Sequence, residues 1–264
     1  GLVNMGELLR MIRKDTILIS IIAVNNEVGT IQNIKALAKI AHDYGILFHT
    51  DAVQALGAIR LDVQDMEIDA MTMSAHKLYG PKGIGALYVK EGVKIENLIY
   101  GGSQERNKRG GTLNVPAIAG FGKAVEIAVR DIAMVQQKIR NEREYFLRNV
   151  LDRIEYVKVN GHNHQKINGI LNLEFEMVDK ESLLMLLDLE GVAVSTGSAC
   201  TANSPLQSHV LKAMGLSDEQ ANSSIRFSFP KNISKADLDF AIEALVKCVE
   251  KLRSISAKTK AGRK

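Results

Sequence analysis

The sequence predicts an α/β fold. Short apolar segments, bounded by turn residues and rich in β-branched side chains, are typical of buried strands. A segment with apolar residues at helical spacing separates the first two of them, and strand, helix, strand is the pattern of an α/β sheet. With 264 residues, 46% of them hydrophobic, the chain can form one large or two ordinary domains.

The first part of the chain contains four predicted strands and two helical segments. The strands cover residues 16–24 (TILISIIAV), 45–52 (GILFHTDA), 70–76 (AMTMSAH) and 85–89 (GALYV). A helical pattern at 7–14 precedes the first strand. Between the first two strands the helix is marked by Ile34, Leu37, Ala38 and Ala41, with Gly45 at the position of a C-cap.

A long amphipathic helix begins at Asn114, a residue type that caps helix N-termini, and continues towards Arg153. Because no Gly or Pro interrupts it after Gly122, we expect it to lead from one domain into another. We place the boundary near residue 130, which gives a domain over 1–130 and a smaller one over 131–264.

The second half alternates apolar and polar residues at 171–176, which predicts a strand with one solvent-exposed face. A Leu-rich helix at 181–189 and a short strand at 192–195 follow. A loop of small polar residues at 196–208 then precedes a strand at 223–229 and a final amphipathic helix from Ser234.

Composition excludes several classes of partner and site. A net charge of +4 with 24% charged residues provides no strong field for nucleic acid or a membrane surface. The longest apolar run, 17–24, is too short to span a bilayer. Cys200 and Cys248 form no disulfide framework, which suits the cytoplasm or an organelle matrix. His162 and His164, with no third ligand nearby in sequence, predict no metal site.

The chemistry is concentrated at two predicted strand ends. Lys77 follows a strand and enters a glycine-rich turn, while Asp51 closes an earlier strand and Gln54 follows it. Ligands bind at the C-terminal edge of such sheets. Pyridoxal phosphate (PLP) requires this pair, because an amine forms the Schiff base and a carboxylate keeps the pyridinium nitrogen protonated. Either residue alone is a weak indication.

Together these segments resemble the NifS/IscS-type cysteine desulfurases, in the class V aminotransferase branch of fold-type I PLP enzymes. The resemblance covers essentially the whole chain. Its matching stretches are 24–29 (VNNEVG), 49–54 (HTDAVQ), 74–85 (SAHKLYGPKGIG), 101–112, 195–201 (STGSACT) and 224–228 (SIRFS). It implies a mixed, mostly parallel sheet in an incomplete large domain, followed by a small α+β domain with the catalytic cysteine loop.

The resemblance also assigns roles. Lys77 is the Schiff-base lysine and Asp51 the pyridinium partner. The remaining cofactor-binding residues are Asn26, Gln54, Ser74, His76 and Thr112, of which Asn26 also borders the substrate carboxylate. Thr112 resembles a threonine that reaches the phosphate of a neighbouring subunit's cofactor, although a second cap residue before Asn114 would look the same.

Arg226 and Cys200 complete the predicted site. Arg226 lies within an apolar strand, where a guanidinium is costly unless an anion meets it. The resemblance provides the substrate α-carboxylate, and a structural ion pair is the alternative. Cys200 lies in a loop of small polar residues, so we expect an accessible thiol there and an inert one at Cys248, in the last helix.

The implied reaction converts L-cysteine to L-alanine and a Cys200 persulfide for iron-sulfur cluster assembly and other sulfur transfer. The implied enzyme is a homodimer that serves an iron-sulfur scaffold or another acceptor protein, with Cys200 as a transient ligand of the nascent cluster. A selenocysteine lyase, a class V aminotransferase and a non-catalytic fragment of a split enzyme are the alternatives. Because the family's ring-stacking histidine and part of its phosphate-binding loop have no counterpart here, we expect an upstream portion to be missing.

Overall fold

A computed structural model describes residues 1–197 and 207–261, with side chains to residue 255. The chain divides into two compact units. The Lys77 unit comprises Val3–Val24 and Gln32–Ile132, and the Arg226 unit comprises Gly1–Leu2, Asn25–Ile31 and Ala133–Lys264. Segment Asn25–Ile31 thus packs with the C-terminal part of the chain. None of the helices in the described residues combines the length and apolar character needed to cross a bilayer.

The Lys77 unit is built on a four-stranded sheet in the order β1-β2-β3-β4. Strands β1 (Leu18–Ile22), β2 (Leu47–Asp51) and β3 (Ala70–Ser74) are parallel, and β4 (Gly85–Val89) is antiparallel to β3. The four predicted strands and the mixed, mostly parallel sheet are confirmed, with strand ends shifted by two residues at most.

Helix α2 (Ile34–Asp43) buries the four apolar residues that predicted it, and Asn33 caps its first turn. Helix α1 (Met5–Met11) lies earlier than the predicted 7–14, because the Asn4 side chain accepts from the backbone N–H of Glu7 and Ile12 is already extended. Gln104–Asn107 forms a short distorted turn, α3. Helix α4 (Val115–Arg153) begins where predicted, with Asn114 accepting from the N–H of Ala117 at 3.2 Å.

The Arg226 unit contains an antiparallel sheet in the order β5-β6-β7, formed by Val157–Asn160, Ile170–Phe175 and Ser224–Ser228. Its helices are the second part of α4, α5 (Lys180–Leu189), α6 (His209–Ala213), α7 (Asp218–Asn222) and α8 (Lys235–Ala261). One face of the sheet forms the core. Leu171, Leu173 and Phe175 are at most 2% exposed and pack with apolar residues of α4, α5 and α8.

The prediction of a solvent-exposed face on β6 is wrong. All six residues of β6 are buried, including Asn172 and Glu174. Asn172 donates to the carbonyl oxygen of Glu27, and Glu174 accepts from Gln220 of α7. The alternation is real, but segment Asn25–Ile31 and helix α7 cover the polar face.

The short strand predicted at 192–195 is also absent. Within this stretch only Ser195 makes a bridge, to Arg226 of β7. The N–H of Val192 bonds back to the carbonyl of Leu187 in α5, which ties the start of the stretch to the helix end.

Candidate active site

The predicted site residues that the structure describes fall into two groups, one in each unit. Asp51, Gln54, Ser74, His76, Lys77 and Thr112 lie in the Lys77 unit, and Asn26 and Arg226 lie in the Arg226 unit. Cys200 lies outside the described residues.

Asp51 is the last residue of β2, where its partner in the neighbouring strand β3 is Thr72. Its Oδ1 atom accepts from the N–H of Val53 at 2.8 Å, which holds the carboxylate at the strand end. His49 lies two residues earlier on the same face of β2 and shares a 2.7 Å hydrogen bond with the Ser20 hydroxyl. Burial lowers the pKa of His49, against the opposing effect of Asp51.

Lys77 lies in a single 3₁₀ turn, Ala75–Leu78, immediately after β3. Because β2 and β3 are parallel, the turn begins at the same edge of the sheet at which Asp51 ends. Lys77 and His76 are exposed, and the Ser74 hydroxyl and His76 Nδ1 share a 2.7 Å hydrogen bond. An amine, a carboxylate, a hydroxyl and an imidazole are therefore collected at one edge.

Two glycines allow the backbone to turn back so tightly after Lys77. A Cβ at Gly80 would lie 2.9 Å from the carbonyl oxygen of Ala75, and one at Gly85 would lie 2.7 Å from that of Met73. Both oxygens belong to backbone that cannot easily move. The glycine-rich sequence is therefore a requirement of the turn that presents Lys77.

Gln54 and Thr112 occupy loops of the same unit. Gln54 is half-buried in the turn after β2, and Thr112 is exposed three residues before α4. The cap of α4 is made by Asn114, so Thr112 is not needed for it. Its role towards a second subunit stays a prediction.

Arg226 and Asn26 are neighbours. Arg226, in β7, donates through Nη1 to the carbonyl oxygen of Asn26 at 2.9 Å. The backbone N–H and carbonyl groups of Arg226 and Ser195 also pair, at 3.1 and 2.7 Å. The segment that leads to Cys200 therefore begins beside the two residues predicted to meet the substrate carboxylate.

Glu27 is a buried polar residue for which the sequence predicts no role. It is 2% exposed, and its Oε2 atom accepts from the Ser208 hydroxyl at 2.5 Å. The only signal in the sequence was its place inside the matching stretch 24–29.

No group of three or more potential metal ligands occurs among the described residues. His162 Nδ1 accepts from the backbone N–H groups of His164 and Gln165, at 3.1 and 2.9 Å. The imidazole therefore closes a local turn.

The side chains at the edge of the Lys77 unit's sheet fit the chemistry of PLP. The exposed Lys77 amine can form a Schiff base, the Asp51 carboxylate can hold a protonated ring nitrogen, and Ser74 and His76 can donate to a phosphate. All four stand at one sheet edge, in the place where α/β folds bind ligands.

Comparison with known proteins agrees with this chemistry. The aminotransferase class-V family model matches residues 1–240. The chain belongs to this family. A protein named cysteine desulfurase IscS from Dictyoglomus turgidum is 48% identical over 256 residues, 97% of this chain and 65% of the relative. That of Methanosarcina thermophila is 44% identical over 259 residues, 98% of this chain and 64% of the relative. The chain thus spans about 65% of the length of these curated relatives.

Solved structures share the fold. A NifS-like protein superposes with a TM-score of 0.86 at 33% identity, covering 94% of this chain and 65% of that one. A structure described as SspA in complex with cysteine superposes with a TM-score of 0.71 at 35% identity, covering 87% of this chain and 63% of that one. The fold-type I class predicted from the sequence is therefore confirmed.

Proposed function

We propose that this chain carries the catalytic groups of a PLP-dependent cysteine desulfurase. The observation that carries the proposal is the placement of Asp51 and Lys77 at one edge of the sheet, on adjacent parallel strands. The relatives named cysteine desulfurase match 97% of the chain, and a neighbouring structure was solved in complex with cysteine. These similarities favour L-cysteine as the substrate.

In the proposed reaction, the bound PLP provides the electron sink that stabilises negative charge at the substrate α-carbon. Lys77 would hold the cofactor and would move the α-proton of the substrate. Asp51 would keep the ring nitrogen protonated. The planar guanidinium of Arg226 receives the substrate α-carboxylate beside Asn26.

Cys200 is the proposed sulfur acceptor. Its thiolate attacks the substrate sulfur, so that an S–S bond forms while the substrate C–S bond breaks. L-Cysteine and the protein thiol thereby become L-alanine and a protein persulfide, and no outside oxidant or reductant is consumed. The persulfide sulfur then passes to an acceptor protein, for which an iron-sulfur scaffold is our proposal. We also propose a homodimer, in which Thr112 reaches the phosphate of the other subunit's cofactor.

The test is product analysis with L-cysteine and PLP. The chain is assayed alone and in a mixture with the part of the Dictyoglomus turgidum relative that it does not match. This mixture is called the combined sample. We expect L-alanine and protein-bound sulfur in equal amounts in the combined sample. Formation of 3-mercaptopyruvate with transfer of the amino group to a keto acid would instead identify an aminotransferase.

A further inference from the structure

Glu27 is a buried carboxylate for which the proposed reaction has no use. It is 2% exposed, and burying an ionised carboxylate is unfavourable unless hydrogen bonds compensate for the lost water. The backbone around Glu27 is held by the Asn25 side chain, whose Oδ1 atom accepts from the N–H groups of Glu27 and Val28 at 2.8 and 3.0 Å. Asn172 of β6 donates to the Glu27 carbonyl.

The Glu27 carboxylate bonds to the C-terminal side of the segment that carries Cys200 and lies close to its N-terminal side. On the C-terminal side, Ser208 donates its hydroxyl hydrogen to Oε2 at 2.5 Å. The same hydroxyl oxygen accepts from the N–H of Leu211 at 3.1 Å and so caps α6. On the N-terminal side, a Cβ at Gly197 would lie 3.4 Å from Oε2.

Gly197 and Ser208 thus both lie beside the Glu27 carboxylate, within one unit. Gly197 has a φ of +152°, and a larger residue there would be strained. The Ser208 hydroxyl has its donor and an acceptor position engaged, which leaves it little freedom to turn away.

We propose that Glu27 is a positioning residue that fixes Ser208, at the C-terminal end of the segment carrying Cys200, and thereby sets how well Cys200 accepts sulfur. The inference rests on the proposed function. Small displacements of a reacting group are costly in rate, so release of the segment end at Ser208 should slow sulfur acceptance. Glu27 would therefore affect sulfur acceptance and leave attachment of PLP at Lys77 unchanged.

The variants are Glu27→Gln, Ser208→Ala and Ser208→Thr, with Glu174→Gln as the matched control. Glu174 is also 2% exposed in the same unit, but it contacts Lys158 and Gln220. Persulfide on Cys200 is measured in the combined sample with PLP and L-cysteine. We expect Glu27→Gln and Ser208→Ala to slow it by about 10- to 100-fold. Ser208→Thr keeps the hydroxyl and should retain the rate. The double variant Glu27→Gln/Ser208→Ala should be no slower than either of its single variants, because both remove the same contact.

A second measurement needs no turnover. Iodoacetamide labelling of Cys200 is followed by mass spectrometry, with Cys248 as the internal reference. We expect Glu27→Gln and Ser208→Ala to change the Cys200 rate severalfold in the same direction, with borohydride labelling of Lys77 by PLP unchanged.

The two measurements separate the two proposals. Persulfide formation at equal rates in all variants would overturn the role of Glu27 and leave the desulfurase intact. A different outcome is that no persulfide forms in the unmodified chain, while labelling of Cys200 still responds to Glu27→Gln and Ser208→Ala alike. The positioning role of Glu27 would then be supported and the proposed desulfurase activity would be refuted. Equal slowing by Glu174→Gln would show a general effect of removing a buried carboxylate, against the proposal.

Discussion

Arg226 donates a hydrogen bond to the carbonyl oxygen of Asn26, 200 positions earlier in the chain. Both residues lie in the Arg226 unit, because segment Asn25–Ile31 packs with the C-terminal half. The two residues that the resemblance assigns to the substrate carboxylate are therefore held together within one unit, and Lys77 belongs to the other.

Replacement of Arg226 by lysine tests its proposed role. Lysine keeps the charge but loses the planar fork that pairs with a carboxylate through two bonds. We expect the KM for L-cysteine to rise about tenfold or more in the combined sample, with a smaller effect on kcat. Arg153→Lys is the control, because Arg153 pairs with Glu243 on the surface. An unchanged KM for Arg226→Lys would argue that the guanidinium serves structure alone.

Replacement of Lys77 by alanine should abolish fixation of PLP by borohydride in the combined sample, because Lys77 provides the amine in the turn after β3, at the sheet edge where Asp51 ends. Peptide mapping of the labelled protein is the measurement. Lys82→Ala is the control, since Lys82 lies four residues after that turn and is also exposed. Label found on Lys82 in the unmodified protein would refute the assignment.

The buried Asp69 should make the Lys77 unit sensitive to acid. Burial opposes its ionisation, but hydrogen bonds from His42 at 2.7 Å and from the Phe48 N–H at 2.9 Å, with the charge of Lys90, leave the pKa of Asp69 below its ordinary value. A depressed pKa stabilises the fold above the unfolded-state pKa of about 3.9, and the contribution is lost as the pH falls through the folded-state pKa.

Asp69→Asn should therefore lower the free energy of unfolding at pH 7 by about 1–3 kcal/mol, with a smaller difference at pH 3. Urea unfolding at the two pH values is the measurement. Asp65→Asn removes an exposed pair with Lys35 and should change the free energy by less than about 1 kcal/mol. A loss for Asp69→Asn that is equal at both pH values would contradict the electrostatic explanation.

Local patterns in the sequence were sufficient for the sheet of the Lys77 unit and for one part of the candidate site. The C-terminal ends of parallel strands lie at the same edge of a sheet. The sequence alone therefore predicts that residues which end or follow such strands, such as Asp51 and Lys77, lie at one edge. Apolar runs bounded by turn residues were enough to predict the four strands.

What the sequence could not provide depends on contacts between distant positions. The alternation in β6 predicted a strand, but it could not show that Glu27, 145 positions from Asn172, covers the polar face. Likewise Glu27 and Ser208 are 181 positions apart. No local pattern reveals such a pair, since a glutamate or a serine by itself is common in ordinary turns and helix caps.

The most direct test of the central claim is to map the sulfur after reaction with L-cysteine. The combined sample with PLP is treated with L-cysteine and then alkylated, and persulfides are located by mass spectrometry. We predict persulfide on Cys200 in amounts that match the L-alanine released, and its loss in Cys200→Ser with PLP still fixed at Lys77. Cys248 should stay unmodified, because it is 2% exposed and burial raises the pKa of its thiol. Persulfide on Cys248, or L-alanine formed at the same rate by Cys200→Ser, would contradict the account.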